Sequence, residues 1–94
     1  MIHEILSKGE LNAKTGKEIS ALLGVNIRNI VAAVEKERRE GWPICASSGD
    51  RPGYFLAENQ GEMERYCRSL LKRAGELHKT RRACLDILPS LPAE

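Results

Sequence analysis

The stretch "TGKEISALLGVNIRN", Thr15 to Asn29, constrains the fold more than any other, because two helix starts fall within it on either side of a single glycine. Thr15-Gly16-Lys17-Glu18 matches the capping box, in which the threonine hydroxyl accepts from the third helical N–H and the glutamate reaches back to the threonine's own N–H. Gly24 admits the left-handed backbone that ends a helix. Asn26 is a good N-cap, and Val25 before it is placed to pack on Ile30 as a hydrophobic staple. A helix of barely two turns is therefore followed by a second after about three residues of turn, a connection short enough to pin their crossing angle. Small Ser20 at the closest approach lets the two pack together. Ile19, Leu22 and Leu23 are expected to supply the buried face of the first. Ile19, Leu23, Val25, Ile30 and Ala33 then form the apolar pattern of a helix-turn-helix.

On the amino-terminal side, Ile2, Ile5 and Leu6 recur at helical spacing before Gly9 and predict a short first helix. Glu10 to Lys14 is brief enough only for a connector or a one-bridge strand, with Leu11 as its anchor. On the other side, the helix opened by Asn26 runs through Val34 to about Glu40 and stops at Gly41. Pro43 to Ala46 and Gly53 to Ala57 are short β-compatible runs, and Ser47 to Pro52 between them is turn chemistry throughout, so a hairpin is expected. In a strand, Tyr54 and Leu56 share one face and Phe55 and Ala57 the other, so the adjacent aromatics serve opposite sides.

Asn59-Gln60-Gly61-Glu62 repeats the capping-box arrangement and opens a helical pattern running to about Leu88, with Pro89 and Pro92 beyond it. Some 29 residues would span ~43 Å, longer than a module of ~58 residues is wide, so part of this helix must bend back or meet another chain. Met63, Leu70, Leu77 and Cys84 form a seven-residue repeat. The partner positions Tyr66, Arg73, Thr80 and Ile87 are half polar, so a regular coiled coil is not expected. Gly75 leaves a break into two helices open.

Ninety-four residues bound the chain to one small domain, 1–58, with a helical appendage at 59–88 and a tail at 89–94. Its apolar runs are too short to cross a bilayer, and MIHEILSKGE carries no export signal, so a cytoplasmic protein without a membrane partner is expected. Cys45, Cys67 and Cys84 are odd in number and widely spaced, and each falls in an apolar phase. They read as small buried hydrophobes, with no metal site. His3 and His78 stand alone as surface or packing residues. No nucleophile–base pair, carboxylate pair or phosphate loop is present, so neither catalysis nor a cofactor is expected. Residues 1–58 carry 8 basic and 8 acidic side chains and residues 59–94 carry 7 and 5. A nucleic-acid reading must therefore rest on where individual charges sit.

Helix, short strand, helix, tight turn, helix and hairpin is the winged helix-turn-helix layout. "GKEISALLGVNIRNIVAAV" with "REGWPICASSGDRPGYFL", ending Gly-Tyr-x-Leu, resembles the amino-terminal DNA-binding module of biotin-ligase-type repressors over residues 1–57. In size the chain also resembles compact stand-alone bacteriophage and prophage proteins with this kind of wing. The expected fold is mainly α with a small β-hairpin, a winged helix-turn-helix plus a long C-terminal helical extension. Glu37 departs from the resemblance, lying in phase with Ile30 and Val34 where such modules bury a leucine. Either the end of that helix is less firmly seated or the carboxylate bonds to a neighbour. Residues 59–94 do not resemble the ligase domain, so biotin or ATP chemistry is not expected.

The resemblance implies a small DNA-binding protein, a bacterial or phage transcriptional regulator reading duplex DNA with the helix from Asn26 to Glu40. Val25, Ile30, Ala33 and Val34 point inward by spacing, leaving Ile27, Arg28, Asn29, Val31, Ala32 and Glu35 outward. Arg28 suits guanine and Asn29 adenine, while Val31 and Ala32 are small enough to touch a thymine methyl. Lys14, Thr15 and Lys17, with Asn26, are expected near phosphates, and Ser47, Ser48 and Arg51 on the wing near backbone or minor groove. Glu35, Glu37 and Glu40 nearly offset the basic residues of that helix, so a homodimer through Met63, Leu70, Leu77 and Cys84 would add binding energy. The alternative is a protein–protein interaction module in a replication or packaging assembly.

Overall fold

The computed structural model describes residues 1–47 and 52–93. Its elements are α1 (Gly16–Leu23), α2 (Ile27–Arg39), β1 (Ile44–Ser47), β2 (Gly53–Leu56) and α3 (Gln60–Ile87), with single 3-10 turns at His3–Ile5, Glu10–Asn12 and Leu88–Ser90. The architecture is thus mainly helical, with one two-stranded antiparallel hairpin and a long C-terminal helix.

The caps form as their residue types dictate. Thr15 Oγ1 accepts from Glu18 N–H at 3.1 Å and Glu18 Oε1 accepts from Thr15 N–H at 3.2 Å. Gly24 ends α1 in the left-handed region at φ 67°, and Asn26 Oδ1 accepts from Asn29 N–H at 2.8 Å to open α2. Ser20 does more than make room: its hydroxyl donates to the Val25 carbonyl at 2.6 Å and ties α1 across the turn. Leu22, expected on the buried face, is instead 63% exposed. Two turns of helix present one apolar stripe, and Ile19 and Leu23 fill it.

The first helix does not form. His3–Ile5 makes one 3-10 turn, although Ile2 and Leu6 are buried as their pattern implies. The backbone groups that would continue it are taken elsewhere: Leu56 N–H donates to the Ser7 carbonyl and Gly9 N–H to the Leu56 carbonyl, while Glu37 accepts from the first-turn N–H groups of Ile2 and His3 at 2.9 and 2.8 Å, which have no partner within a helix. Leu11, expected as the anchor, is 76% exposed; the bridge forms at Lys14, which exchanges both backbone hydrogen bonds with Tyr54 at 2.9 and 2.7 Å. Gly53 makes that approach feasible, because a Cβ there would overlap the Lys14 carbonyl and stand 2.9 Å from the Thr15 nitrogen.

The hairpin pairs Ile44 with Leu56 and Cys45 with Phe55, and its two faces divide the core as the alternation requires. Ile44, with Tyr54 and Leu56 packed alongside, joins Ile2, Leu6, Ile19, Ile30 and Val34 in one cluster. Cys45 and Phe55 meet Tyr66 of α3 in a second, to which Met63 adds. Arg38 binds the layers together: its Nε donates to the Ile44 carbonyl at 2.8 Å and its guanidinium lies 4.8 Å from the Tyr66 ring centroid.

Half of the second capping box is realised. Asn59 Oδ1 accepts from Glu62 N–H, but the Glu62 carboxylate passes over Asn59 to accept from Glu58 N–H at 2.7 Å and Glu10 N–H at 3.0 Å. Those two backbone donors hold its pKa below the ordinary carboxylate value. Beyond this anchorage α3 continues through Gly75 as one helix of 28 residues, ~42 Å long. The radius of gyration, 16.9 Å against ~12 Å for a compact chain of this size, reflects that projection.

Candidate nucleic-acid interface

α2 presents its outer face as spacing predicts: Ile30 and Val34 are buried, while Ile27, Arg28, Asn29, Val31, Ala32 and Glu35 are exposed. Arg28 has no ion-pair partner among the described residues, whereas Glu35 stands 3.5 Å from both Arg38 and Arg39. The amino-terminal half of the exposed face therefore carries one unopposed cation, one free-standing amide and three apolar side chains. Ile27 and Val31, one turn apart, are each about half exposed.

The expected phosphate-side residues lie close to it in the chain but are not equally free. Lys17 is exposed on the first turn of α1. The Lys14 ammonium donates to Ser7 Oγ at 3.3 Å, and Thr15 and Asn26 spend their side-chain oxygens on caps. Both caps nevertheless fix where α1 and α2 begin. Ser47 closes β1 in a half-buried position; Ser48 and Arg51 lie outside the described residues.

Behind this face, Glu37 is bonded at several points among the described residues. Glu37 is 4% exposed, accepts from the Ile2 and His3 N–H groups and bonds the His3 ring at Nδ1. Burial works against its charge, yet the His3 and Ile2 backbone donors, the His3 ring and the amino-terminal charge outweigh burial and hold the pKa at about 2 rather than 4.5. His3 is accordingly not solitary: the Trp42 ring also stacks on it at 3.6 Å between centroids, and Glu4 stands 3.9 Å from its Nε2. Sequence phase located Glu37 as an anomaly. Its partners were not foreseen; the signal that could have found them is the set of first-turn N–H groups near Ile2 and His3, which have no partner within a helix.

Of the cysteines, only Cys45 is buried; Cys67 and Cys84 are exposed on α3, correcting their reading as core residues. Burial, with Glu62's charge adding, pushes the Cys45 thiol up to about 11. The proposed partner-facing residues divide likewise. Met63 packs against the hairpin, whereas Leu70, Leu77 and Cys84 stand clear of it, Leu77 at 71% exposure. Among the described residues no group of His, Cys, Asp or Glu is arranged to hold a metal ion, and no helix is long and apolar enough to cross a membrane. No protein-family model matches the chain, and no curated protein and no solved structure is detectably similar to it.

Proposed function

We propose that the chain is a winged helix-turn-helix protein that binds duplex DNA sequence-specifically, a small regulator of bacterial or phage type acting in the cytoplasm as a dimer. The observation that carries this reading is the outer face of α2. It is seated from behind by Ile30, Val34 and Glu37, and its exposed start offers a bidentate cation, an amide and short apolar side chains in one turn and a half. That is the inventory with which a helix reads base edges in a major groove about one helix wide. The Lys14–Tyr54 bridge supports the wing assignment by tying the hairpin to the start of α1. The exposed stripe of α3 supports a two-fold partner, which offsets the lack of net positive charge in residues 1–58 by doubling the contacts.

Selection of bound duplexes from a random pool tests this directly, and an inverted repeat is the expected product. On the selected site, Arg28→Ala should weaken binding by about 1–3 kcal/mol and relax preference at one base position. Equal affinity for variant and parent would refute the role of α2. The half-exposed Ile27 and Val31 favour a second reading, an apolar protein-docking face. Salt separates the two: DNA affinity falls steeply as salt rises, whereas apolar docking barely responds.

A further inference from the structure

Beyond the hairpin, the exposed side of α3 carries a longer apolar series than the seven-residue repeat alone discloses. Taking partner positions four residues on rather than three, the series becomes Cys67, Leu70, Ala74, Leu77, Arg81, Cys84 and Leu88, with alternating spacings of three and four. This is the spacing of a helix–helix seam, polar only at Arg81. All of these residues are exposed. Arg65, Arg68, Lys72 and Lys79 crowd the opposite side of the helix and keep it in water.

The seam reads alike in both directions about a point between Gly75 and Glu76. Turning a second copy end for end sets Cys67 opposite Cys84, Leu70 opposite Arg81 and Ala74 opposite Leu77. Each relation is repeated by the dyad, as a closed two-fold interface demands. A parallel pairing instead stacks Arg81 on Arg81 in the middle of the seam, where like charges lose their water. Against Leu70, the Arg81 stem lies along an apolar side chain while its guanidinium reaches out to solvent. The same register brings Leu88 of one copy to Met63 of the other, at the edge of the hairpin cluster, so the apolar residues at the end of α3 extend a core that already exists.

We infer that α3 pairs antiparallel with α3 of a second copy of this chain, centred between Gly75 and Glu76, placing Cys67 of each copy beside Cys84 of the other. This rests on the reading of α3 as the dimer helix and adds its direction and register. The two modules then leave the seam at opposite ends, with their Gln60 positions ~46 Å apart along the helix axis.

Thiol oxidation of the full chain by diamide, followed by non-reducing electrophoresis, tests the pairing with Cys67→Ser, Cys84→Ser and an equal mixture of the two. Both positions are exposed, and Cys45 is buried away from the oxidant. The parent and the mixture are expected to give covalent dimers, and each variant alone to lose them at least tenfold. Covalent dimers from each variant alone would indicate parallel helices, overturning the inference while leaving a dimer in place. No covalent dimer in the mixture also overturns it. If the parent then sediments as a monomer, the dimer reading falls too, while DNA binding remains for the Arg28→Ala measurement to decide.

Discussion

Replacing Glu37 by glutamine removes one charge from a site where four donors converge, and the cost follows from the carboxylate's own titration. Its folded pKa of about 2 lies below the ordinary 4.5, so the ionised form is favoured in the native state. Stability from this source is fully present above pH 4.5 and is lost as pH falls through 2. The difference amounts to ~3 kcal/mol at neutral pH and ~1 kcal/mol at pH 3. Glutamine keeps one acceptor oxygen but turns an amide NH2 toward the Ile2 and His3 N–H groups, leaving donors facing donors. Urea titrations of parent and Glu37→Gln from pH 7 to pH 2.5 should show the variant ~3 kcal/mol less stable at the top of the range. The gap should close through the acid limb, because a protonated Glu37 is nearly isosteric with glutamine. Glu62 also titrates in that limb, but it is present in both proteins and cancels in the difference. A gap independent of pH would show that the ionised carboxylate does not fasten the amino-terminal segment to α2.

Three further outcomes are expected. Gly53→Ala places a methyl against the Lys14 carbonyl at a φ of 139°, and should cost ~2–4 kcal/mol by the same urea assay; a cost under ~1 kcal/mol would refute the close approach. Arg38→Met keeps the stem but removes the bond to the Ile44 carbonyl and the contact over Tyr66, for an expected loss of ~2–3 kcal/mol and a changed Tyr66 fluorescence. Cys45 should resist maleimide at pH 8 in the native chain and react only as the protein unfolds, read by mass spectrometry of the labelled peptides; prompt labelling would contradict its burial.

What was legible in the sequence was whatever depends on neighbours. The Thr15 and Asn26 caps, the Gly24 stop and the alternation that separates Tyr54 from Phe55 are all decided within a few residues of chain, and each is found where local chemistry puts it. The failures share the opposite property. Ile2, Ile5 and Leu6 satisfy a helical pattern, but Leu56, far along the chain, takes the Ser7 carbonyl and the Gly9 N–H that a longer helix would need. Cys67 and Cys84 lie in an apolar phase and are nevertheless exposed, because the phase describes a surface that no other described residue covers. At the candidate interface, the outward residues of α2 were legible from spacing. The prior commitments of Lys14, Thr15 and Asn26 became visible only with their partners in place.

The Lys14–Tyr54 exchange has a mechanical consequence. Lys14 precedes the Thr15 cap by one residue, so the hairpin and the base of α1 share a single joint, and Gly53 leaves that joint no slack. Tilting the ribbon must swing the helix pair with it, so on the proposed reading of a duplex held between them, the bending would fall to the nucleic acid.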